Sequence, residues 1–340
     1  MRYGILSGAL WGLDTVVLAV ATALVPFLGA DEASLASAVL DEASLASAVL
    51  HDVSCALILL VYMGVRGRLG DTWRATRTRS GLAVVLGALL GGPIGMSGYL
   101  VAINNIGPGY TAIISTFYPA VGTFLAFVFL KERMHLHQVV ALVIALAAIV
   151  YIGYSSTTDD ATSGSSLVGV LGALACVLGW GSEAVILAWG MKNDVDNETA
   201  LQIRETTSGL VYLLVVAPLA GVLDFTFHAS TSLGTGVLAL AAVAGTASYL
   251  FYYKAIDTIG ASRGMALNIS YSAWTVVFTL VLTALAPTLL DPTATEPASL
   301  LTSDTLRQVG CCVVILVSTV LAATPDWKEL RFRRQTAPVG

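Results

Sequence analysis

Ten long apolar runs constrain the fold of this chain more than any other feature of its sequence. They cover residues 3–28, 43–65, 81–103, 108–130, 137–155, 167–190, 203–222, 233–253, 264–286 and 306–323. A helix of about twenty apolar residues crosses the hydrocarbon core of a bilayer. Only 11% of the residues are charged, whereas a soluble domain carries about 25%. The sequence therefore predicts an all-α integral membrane protein with ten transmembrane helices.

Several other protein classes find no support in the sequence. The first run continues directly into the pattern of spans without a small-residue cleavage site, so no cleavable signal peptide is expected. Cys55, Cys176, Cys311 and Cys312 lie inside apolar runs and are interpreted as core residues, not as disulfides or metal ligands. No G-x-x-x-x-G-K-[ST] loop is present, which disfavours ATP-driven pumping. We expect no cofactor, no metal and no nucleic-acid partner.

Charged residues are distributed unequally between the two sides of the predicted spans. Every lysine and arginine except Arg307 lies in a terminus, an even-numbered loop or an adjoining helix edge. The positive-inside rule then predicts a cell-membrane protein with both termini in the cytoplasm. The odd-numbered loops carry acids and no lysine or arginine: Asp31, Glu32, Asp41, Glu42, Asp159, Asp160, Asp224, Asp291, Glu296 and Asp304.

A degenerate internal repeat relates the two halves of the chain. LWGLDTVVLAV aligns with GWGSEAVILAW, which sets Trp11 on Trp180 and Asp14 on Glu183. Further along, one constant offset pairs His51 with Arg204, Asp52 with Glu205, Tyr99 with Tyr252, Gly107 with Gly260 and Tyr118 with Tyr271. A common offset across three pairs of spans indicates a duplication of five helices.

Five spans per half make the second half enter the membrane from the opposite side. Inverted repeats of this kind place a site near the midplane between two bundles, and alternating access follows when one bundle rocks against the other. We expect a first repeat over residues 1–155, an extracytoplasmic linker over 156–166, a second repeat over 167–323 and a cytoplasmic tail over 324–340.

The segment YTAIISTFYPAVGTFLAFVFLKERMHLHQVVALVIALAAIVYIGY and the turns NIGPG and DTIGAS resemble ten-helix EamA-type members of the drug/metabolite transporter superfamily. Pro119 and the helix-end acid Glu132 carry the likeness, together with the tryptophans of the first and sixth spans. The resemblance implies export or uptake of small metabolites or drugs, often by proton antiport. In the second half, Ser272 and Leu285 stand where the family often has another proline and a second glutamate.

Charged residues inside the spans are candidates for proton coupling. Asp14 lies about 18 Å along its helix from Arg2, and Asp52 lies about 15 Å from Glu42. A charge at such a depth costs at least ~2.5–3.5 kcal/mol, so it usually faces a cavity or a partner. The full candidate set is Asp14, His51, Asp52, Glu183, Arg204 and Glu205.

Each charged candidate also has a structural interpretation. The acids of the first and sixth spans could form ion pairs that hold helices together. Arg204 and Glu205 are interpreted as an interfacial ion pair at a helix start. His51 could share a proton with Asp52 or pack as an ordinary histidine, and His135 and His137 are expected to be solvent-exposed.

Aromatic and polar residues of the spans are candidates for lining a substrate cavity. This set is Trp11, Tyr99, Tyr118, Pro119, Trp180, Tyr252, Asn268, Tyr271 and Trp274. Aromatic rings can stack on a substrate, although in membrane helices they more often pack or lie at the interface. Pro119 is expected to kink its helix and free backbone carbonyls for a cavity.

A secondary active transporter, with a proton-coupled exporter as its most specific form, is the leading interpretation. A channel or facilitator and, less favoured, an intramembrane enzyme that uses Asp14 and Glu183 remain alternatives. The lipid bilayer, a small-molecule substrate and protons are the expected partners, and the chain could form a homodimer. The exact decapeptide repeat DEASLASAVL at Asp31–Leu50 is expected to lengthen an outer loop only, so deletion of Asp31–Leu40 should leave insertion and transport intact.

Overall fold

The computed structural model describes residues 1–27, 42–155, 166–193, 195–289 and 302–326. Within these ranges, ten helices are long and apolar enough to cross a membrane, and no strand occurs. They are α1 (Arg2–Thr22), α2 (Glu42–Val65), α3 (Arg79–Gly107), α4 (Tyr110–Leu130), α5 (Leu136–Tyr154), α6 (Leu167–Lys192), α7 (Asn197–Ala220), α8 (Leu233–Ile259), α9 (Ala261–Leu285) and α10 (Thr305–Ala323). The predicted all-α class with ten spans is confirmed.

The start of α7 lies earlier in the chain than the sequence predicts. The helix begins at Asn197 and not at 203, because the Asp196 side chain caps it by accepting hydrogen bonds from the Glu198 and Thr199 amides at 3.1 and 3.3 Å. Its polar first turns pack inside the protein, where Gln202 is buried. A hydropathy profile alone misses this helix start, because it gives polar residues buried against protein the same score as polar residues in water.

The exact decapeptide repeat falls partly outside the described residues. Its first copy lies there, whereas the second copy forms the first turns of α2 from Glu42 onward. The predicted loop acids and the basic residues beyond 326 also lie outside, except Glu42 and Asp224, which the structure describes; of Asp304 only the backbone is described. Two short helices connect the spans, Leu69–Ala75 between α2 and α3 and Leu223–Ala229 between α7 and α8.

The helices pack in a pattern that pairs the two halves of the chain. α1 packs along α8 and α9, and α6 packs along α3 and α4; α2 lies against α7, and α5 lies against α10. Glycines allow two of these close approaches. A Cβ at Gly12 would lie 2.6 Å from the Trp274 Cβ, and one at Gly181 would lie 2.9 Å from the Tyr118 carbonyl oxygen. Small residues at such crossings let helix backbones approach closely.

The same two breaks interrupt the chain in each half. Gly107 between α3 and α4 has φ 80° and ψ 160°, and Gly260 between α8 and α9 has φ 89° and ψ 163°. Both values lie in a region that only glycine adopts readily. α4 and α9 are each interrupted near their middle and resume at Tyr118 and Tyr271, with Pro119 in the first turn of the resumed α4 segment.

Candidate functional site

A cavity of about 360 Å³ lies between α1, α2 and α3 and extends to the middle of the bundle. Its wall includes Thr22 at the end of α1, Ser44 near the start of α2 and Ile103 near the end of α3. Because the spans alternate in direction, these three helix ends lie on one side, opposite the N-terminus. We call this the outer end of the cavity.

Aromatic side chains separate this cavity from a smaller one of about 20 Å³. Trp11, Trp180, Tyr249 and Tyr271 line both cavities. Trp11 packs on Tyr249 and Tyr271, with ring centroids 5.0 and 5.6 Å apart. The Trp180 Nε1 donates to the Gly91 carbonyl oxygen at 3.0 Å, within a π-helical turn of α3 at Leu90–Met96. These rings form the inner wall of the larger cavity.

The other predicted aromatic and polar residues divide into two groups. Tyr99 lines the larger cavity, and Tyr118, Tyr252 and Asn268 line the smaller one. Pro119 and Trp274 line neither of these two cavities. Trp274 instead stacks on Phe278 with ring centroids 6.0 Å apart.

Asp14 and His51 form the first charged group on the cavity wall. The His51 Nε2 lies 3.0 Å from the Asp14 Oδ1, and its Nδ1 lies 3.9 Å from the Asp52 Oδ1. Asp52 accepts a hydrogen bond from the Ser208 hydroxyl of α7. The imidazole is therefore within hydrogen-bond distance of Asp14 and outside it for its sequence neighbour Asp52.

Arg204 organises the second charged group. Its Nε donates to the Glu183 Oε1, its Nη1 to the Glu205 Oε2 and its Nη2 to the Tyr249 hydroxyl, each at 3.1 Å. The guanidinium carbon lies 4.6 Å from the centroid of the Tyr249 ring. The interpretation of Arg204 and Glu205 as an interfacial pair is wrong, because the earlier start of α7 places both in the interior, with Glu205 0% exposed.

The two groups together contain more carboxyl groups than basic ones. Four buried acids, Asp14, Asp52, Glu183 and Glu205, face the single guanidinium of Arg204 and the imidazole of His51. Within the described ranges, the Glu205 Oε1 is buried and accepts no hydrogen bond. Since an uncompensated buried charge is costly, protons or a bound cation would stabilise this cluster.

Hydrogen-bonded side chains close the bundle on the side of the N-terminus. The Tyr118 hydroxyl donates to the Asn268 Oδ1 at 3.0 Å, and the Asn268 Nδ2 donates to the Ser7 Oγ at 2.8 Å. The Ser248 hydroxyl donates to the Ser7 carbonyl oxygen at 2.8 Å. All four side chains are buried, so among the described residues this layer separates the larger cavity from the N-terminal side.

Sequence reasoning missed several residues of this site, among them Tyr249 and Ser208. Tyr249 lies one turn before Tyr252 on α8, and that spacing could have placed both on one face. Ser208 follows Glu205 by three residues on α7 and shares its face in the same way. The expectation for His137 also needs correction: it is half-buried, and its Nε2 lies 2.9 Å from the Thr324 carbonyl oxygen, whereas His135 is exposed.

Comparisons with known proteins agree with this architecture. Residues 2–154 match the EamA-like transporter family. Protein LicB of Haemophilus influenzae is 29% identical over 197 residues, which cover 56% of this chain and 63% of that protein. The match thus spans less than two thirds of that relative.

A protein of known crystal structure superposes with a TM-score of 0.59 at 17% identity, over 94% of this chain and 95% of its own, and so shares the fold. The family match and the ten spans carry one conclusion. Residues 2–154 belong to the EamA-like transporter family, within a multi-pass membrane protein.

Proposed function

We propose that the protein is a secondary active transporter that moves a small molecule by alternating access, with proton coupling at Asp14 and His51. The observation that carries the proposal is a cavity that ends at a buried charged cluster and, among the described residues, extends toward the side opposite the N-terminus. A channel would need a path through both sides, whereas an alternating-access transporter is closed on one side in each state.

The backbone supports two halves of inverted topology. Gly107 and Gly260 occupy equivalent positions and share nearly the same φ and ψ, and the halves break and resume α4 and α9 at equivalent tyrosines. The packing of α1 on α8 is matched by the packing of α6 on α3. Two bundles related in this way can rock against each other around a central site.

Proton coupling is supported by the charge balance of the cavity wall. The four carboxyl groups exceed the basic groups, so uptake of a proton or of a cationic part of a substrate lowers the electrostatic cost of the cluster. Aromatic faces such as those of Trp11 and Tyr249 attract cations as well. When a proton and a substrate compete for one cluster, binding of either displaces the other. The two therefore cross the membrane in opposite directions, which is exchange.

The orientation follows from the basic residues. With both termini in the cytoplasm, the outer end of the cavity faces away from the cytoplasm, and the Ser7, Tyr118 and Asn268 layer closes the cytoplasmic side. The structure then corresponds to an outward-facing state in the cell membrane. Export is the proposed direction, driven by proton entry.

The test begins with purified protein and a thermal-shift panel of amino acids, sugars, nucleosides and organic cations. The strongest hit is then loaded into proteoliposomes, and its flux is measured with and without a pH gradient. Accumulation driven by the gradient in wild type, and its loss in Asp14→Asn, would support the proposal.

The matched control is Asp71→Asn, since Asp71 is an acid in the short helix Leu69–Ala75, away from the cavity. It should transport as wild type does. Downhill flux that ignores the gradient would identify a facilitator or channel and refute proton coupling.

A further inference from the structure

The end of α4 reaches across to the start of α9. Lys131 leaves the helix in the left-handed region at φ 56°, which is unfavourable for a residue with a Cβ. Glu132 follows, and its carboxylate accepts hydrogen bonds from the Ala261 and Ser262 amides, both at 3.0 Å, and from the Ser262 hydroxyl at 2.9 Å. An acid of the first half therefore caps a helix of the second half.

The surrounding backbone is shaped for this carboxylate. Gly260 has φ 89°, and a Cβ there would lie 2.7 Å from the Glu132 Oε1. The amides of the first turn of α9 carry the positive end of the helix dipole, which favours a carboxylate. Hydrogen bonds to a charged acceptor are also stronger than those between neutral groups.

The equivalent position on the other side of the membrane lacks every part of this contact. At the repeat offset, Leu285 replaces the acid and is 80% exposed. Pro108 replaces Ala261 and has no amide hydrogen to donate, and Gly109 replaces Ser262 and has no hydroxyl. α9 also ends differently, because its C-cap Ala286 has φ −151°, whereas Lys131, the C-cap of α4, is left-handed. In the part of the chain that the structure describes, this contact lies on the N-terminal side.

We propose that Glu132 is a one-sided latch, a positioning residue that holds the N-terminal side closed and biases the protein toward the state in which the cavity is open at its outer end. The proposal rests on the alternating access of the proposed function. A contact made in one of two states shifts their equilibrium by its own free energy. Beneath the latch, Gly122 of α4 packs against Met265 of α9, and opening of that side would separate them.

Two introduced cysteines would measure how accessible the N-terminal side and the outer end of the cavity are. Met265→Cys lies in the buried contact between α4 and α9, and Ala48→Cys lines the larger cavity. Each is made in otherwise unchanged protein in nanodiscs and treated with a polar maleimide that reaches both faces. Peptide mass spectrometry measures labelling at the one position, so the native cysteines do not interfere.

The latch is removed by Glu132→Gln, and the matched control is Arg133→Gln, a change at the exposed neighbouring residue. We expect Glu132→Gln to speed labelling at Met265→Cys by up to about tenfold, which corresponds to 1.4 kcal/mol. Labelling at Ala48→Cys should slow at the same time. Arg133→Gln should leave both rates as in the parent protein. Equal rates in the two variants, or faster labelling at both positions, would overturn the latch.

If Glu132→Gln does not fold, a second variant tests the latch by building the same contact at the equivalent outer position. Pro108→Ala, Gly109→Ser and Leu285→Glu together supply the missing parts on the outer side while Glu132 is kept. Faster labelling at Met265→Cys with slower labelling at Ala48→Cys supports the proposal, and unchanged rates overturn it. Wild-type flux in proteoliposomes is measured separately. Absence of flux with shifted labelling would refute the proposed function alone, and normal flux with unshifted labelling would refute the latch alone.

Discussion

Each half of the protein pairs a buried acid with a basic residue at aligned positions, but the basic residue differs between the halves. Asp14 on α1 pairs with His51 on α2, and at equivalent positions Glu183 on α6 pairs with Arg204 on α7. Arginine stays protonated in proteins, whereas histidine changes its charge near neutral pH. One pair is thus a permanent ion pair, and the other can gain or lose a proton. On the proposed function, Glu183 with Arg204 acts as an anchor, and Asp14 with His51 acts as a proton switch.

The surroundings of the two bases differ in the same direction. Arg204 donates to Glu183, Glu205 and Tyr249, and its side chain is 5% exposed. The His51 side chain is 13% exposed, and both side chains line the larger cavity. Arg204 thus donates to three partners, whereas the hydrogen-bond partners of His51 are the Asp14 Oδ1 at 3.0 Å and the Cys55 Sγ at 3.7 Å. The comparison teaches that symmetry of the backbone does not require symmetry of the chemistry.

Removal of the anchor should have the largest effect. Arg204→Gln leaves Glu183 and Glu205 buried without their cation, which costs about 3–5 kcal/mol of folding stability. Thermal unfolding in detergent, followed by circular dichroism, measures the loss. Glu183→Gln is the matched control, because it removes one acid and keeps Arg204 paired with Glu205; it should cost much less. Equal destabilisation by the two variants would contradict the role of Arg204 as the anchor.

Loosening the anchor should have an intermediate effect. Tyr249→Phe removes the hydroxyl that accepts from Arg204 but keeps the ring against it, and the lost hydrogen bond to a charged group corresponds to about 1.5–3 kcal/mol. Tyr253→Phe is the control, since in the described part of the chain its buried hydroxyl has no hydrogen-bond partner. Thermal unfolding should separate the two variants clearly. A Tyr253 variant that loses as much stability as the Tyr249 variant would refute this assignment.

The start of α7, the helix that carries Arg204, should contribute least. Arg68 forms ion pairs with Asp196 at 2.7 Å and with Glu198 at 2.5 Å at the start of α7. Partial burial opposes ionisation of Asp196, but hydrogen bonds from Thr199 and Arg68 outweigh it and hold the pKa of Asp196 below its ordinary value. A lowered pKa adds stability above the ordinary pKa, and that stability is lost as the pH falls through the folded-state value.

Asp196→Asn isolates this pair, because asparagine caps a helix about as well as aspartate. We expect a loss of about 0.2–1 kcal/mol, reduced further because the Asp196 side chain is 46% exposed and screened by salt. Unfolding at neutral pH in low and high salt measures it, and the difference from wild type should shrink in high salt and in acid. Asp196→Ala, which also removes the cap, should cost more. A loss that does not depend on salt would exclude the ion pair as its cause.

The sequence was sufficient to predict the ten spans, for physical reasons visible in particular residues. Runs of about twenty apolar residues have few alternatives to a transmembrane helix. The start of α7 was misplaced because its polar first turns lie against protein, with Arg68 paired to Glu198. Hydropathy reports composition and not what surrounds a residue.

The site itself was predicted as a set of residues but not as a set of contacts. The sequence nominated His51 and Asp14 separately, yet their 3.0 Å contact joins residues on two helices whose rotation only packing determines. Adjacent residues on a helix point about 100° apart, which explains why His51 lies closer to Asp14 than to Asp52. Tyr249 was missed because an aromatic residue in a membrane helix carries no local signal of the arginine that it contacts.

The most direct measurement of the central claim, that His51 is the switch, is flux driven by a pH gradient in proteoliposomes that contain His51→Gln. Glutamine can still hydrogen-bond to Asp14 but does not titrate. His135→Gln, which changes an exposed histidine, is the control and should behave as wild type. The account predicts that His51→Gln folds and exchanges substrate downhill, while accumulation driven by the gradient falls at least about tenfold. Undiminished accumulation in His51→Gln would contradict the account.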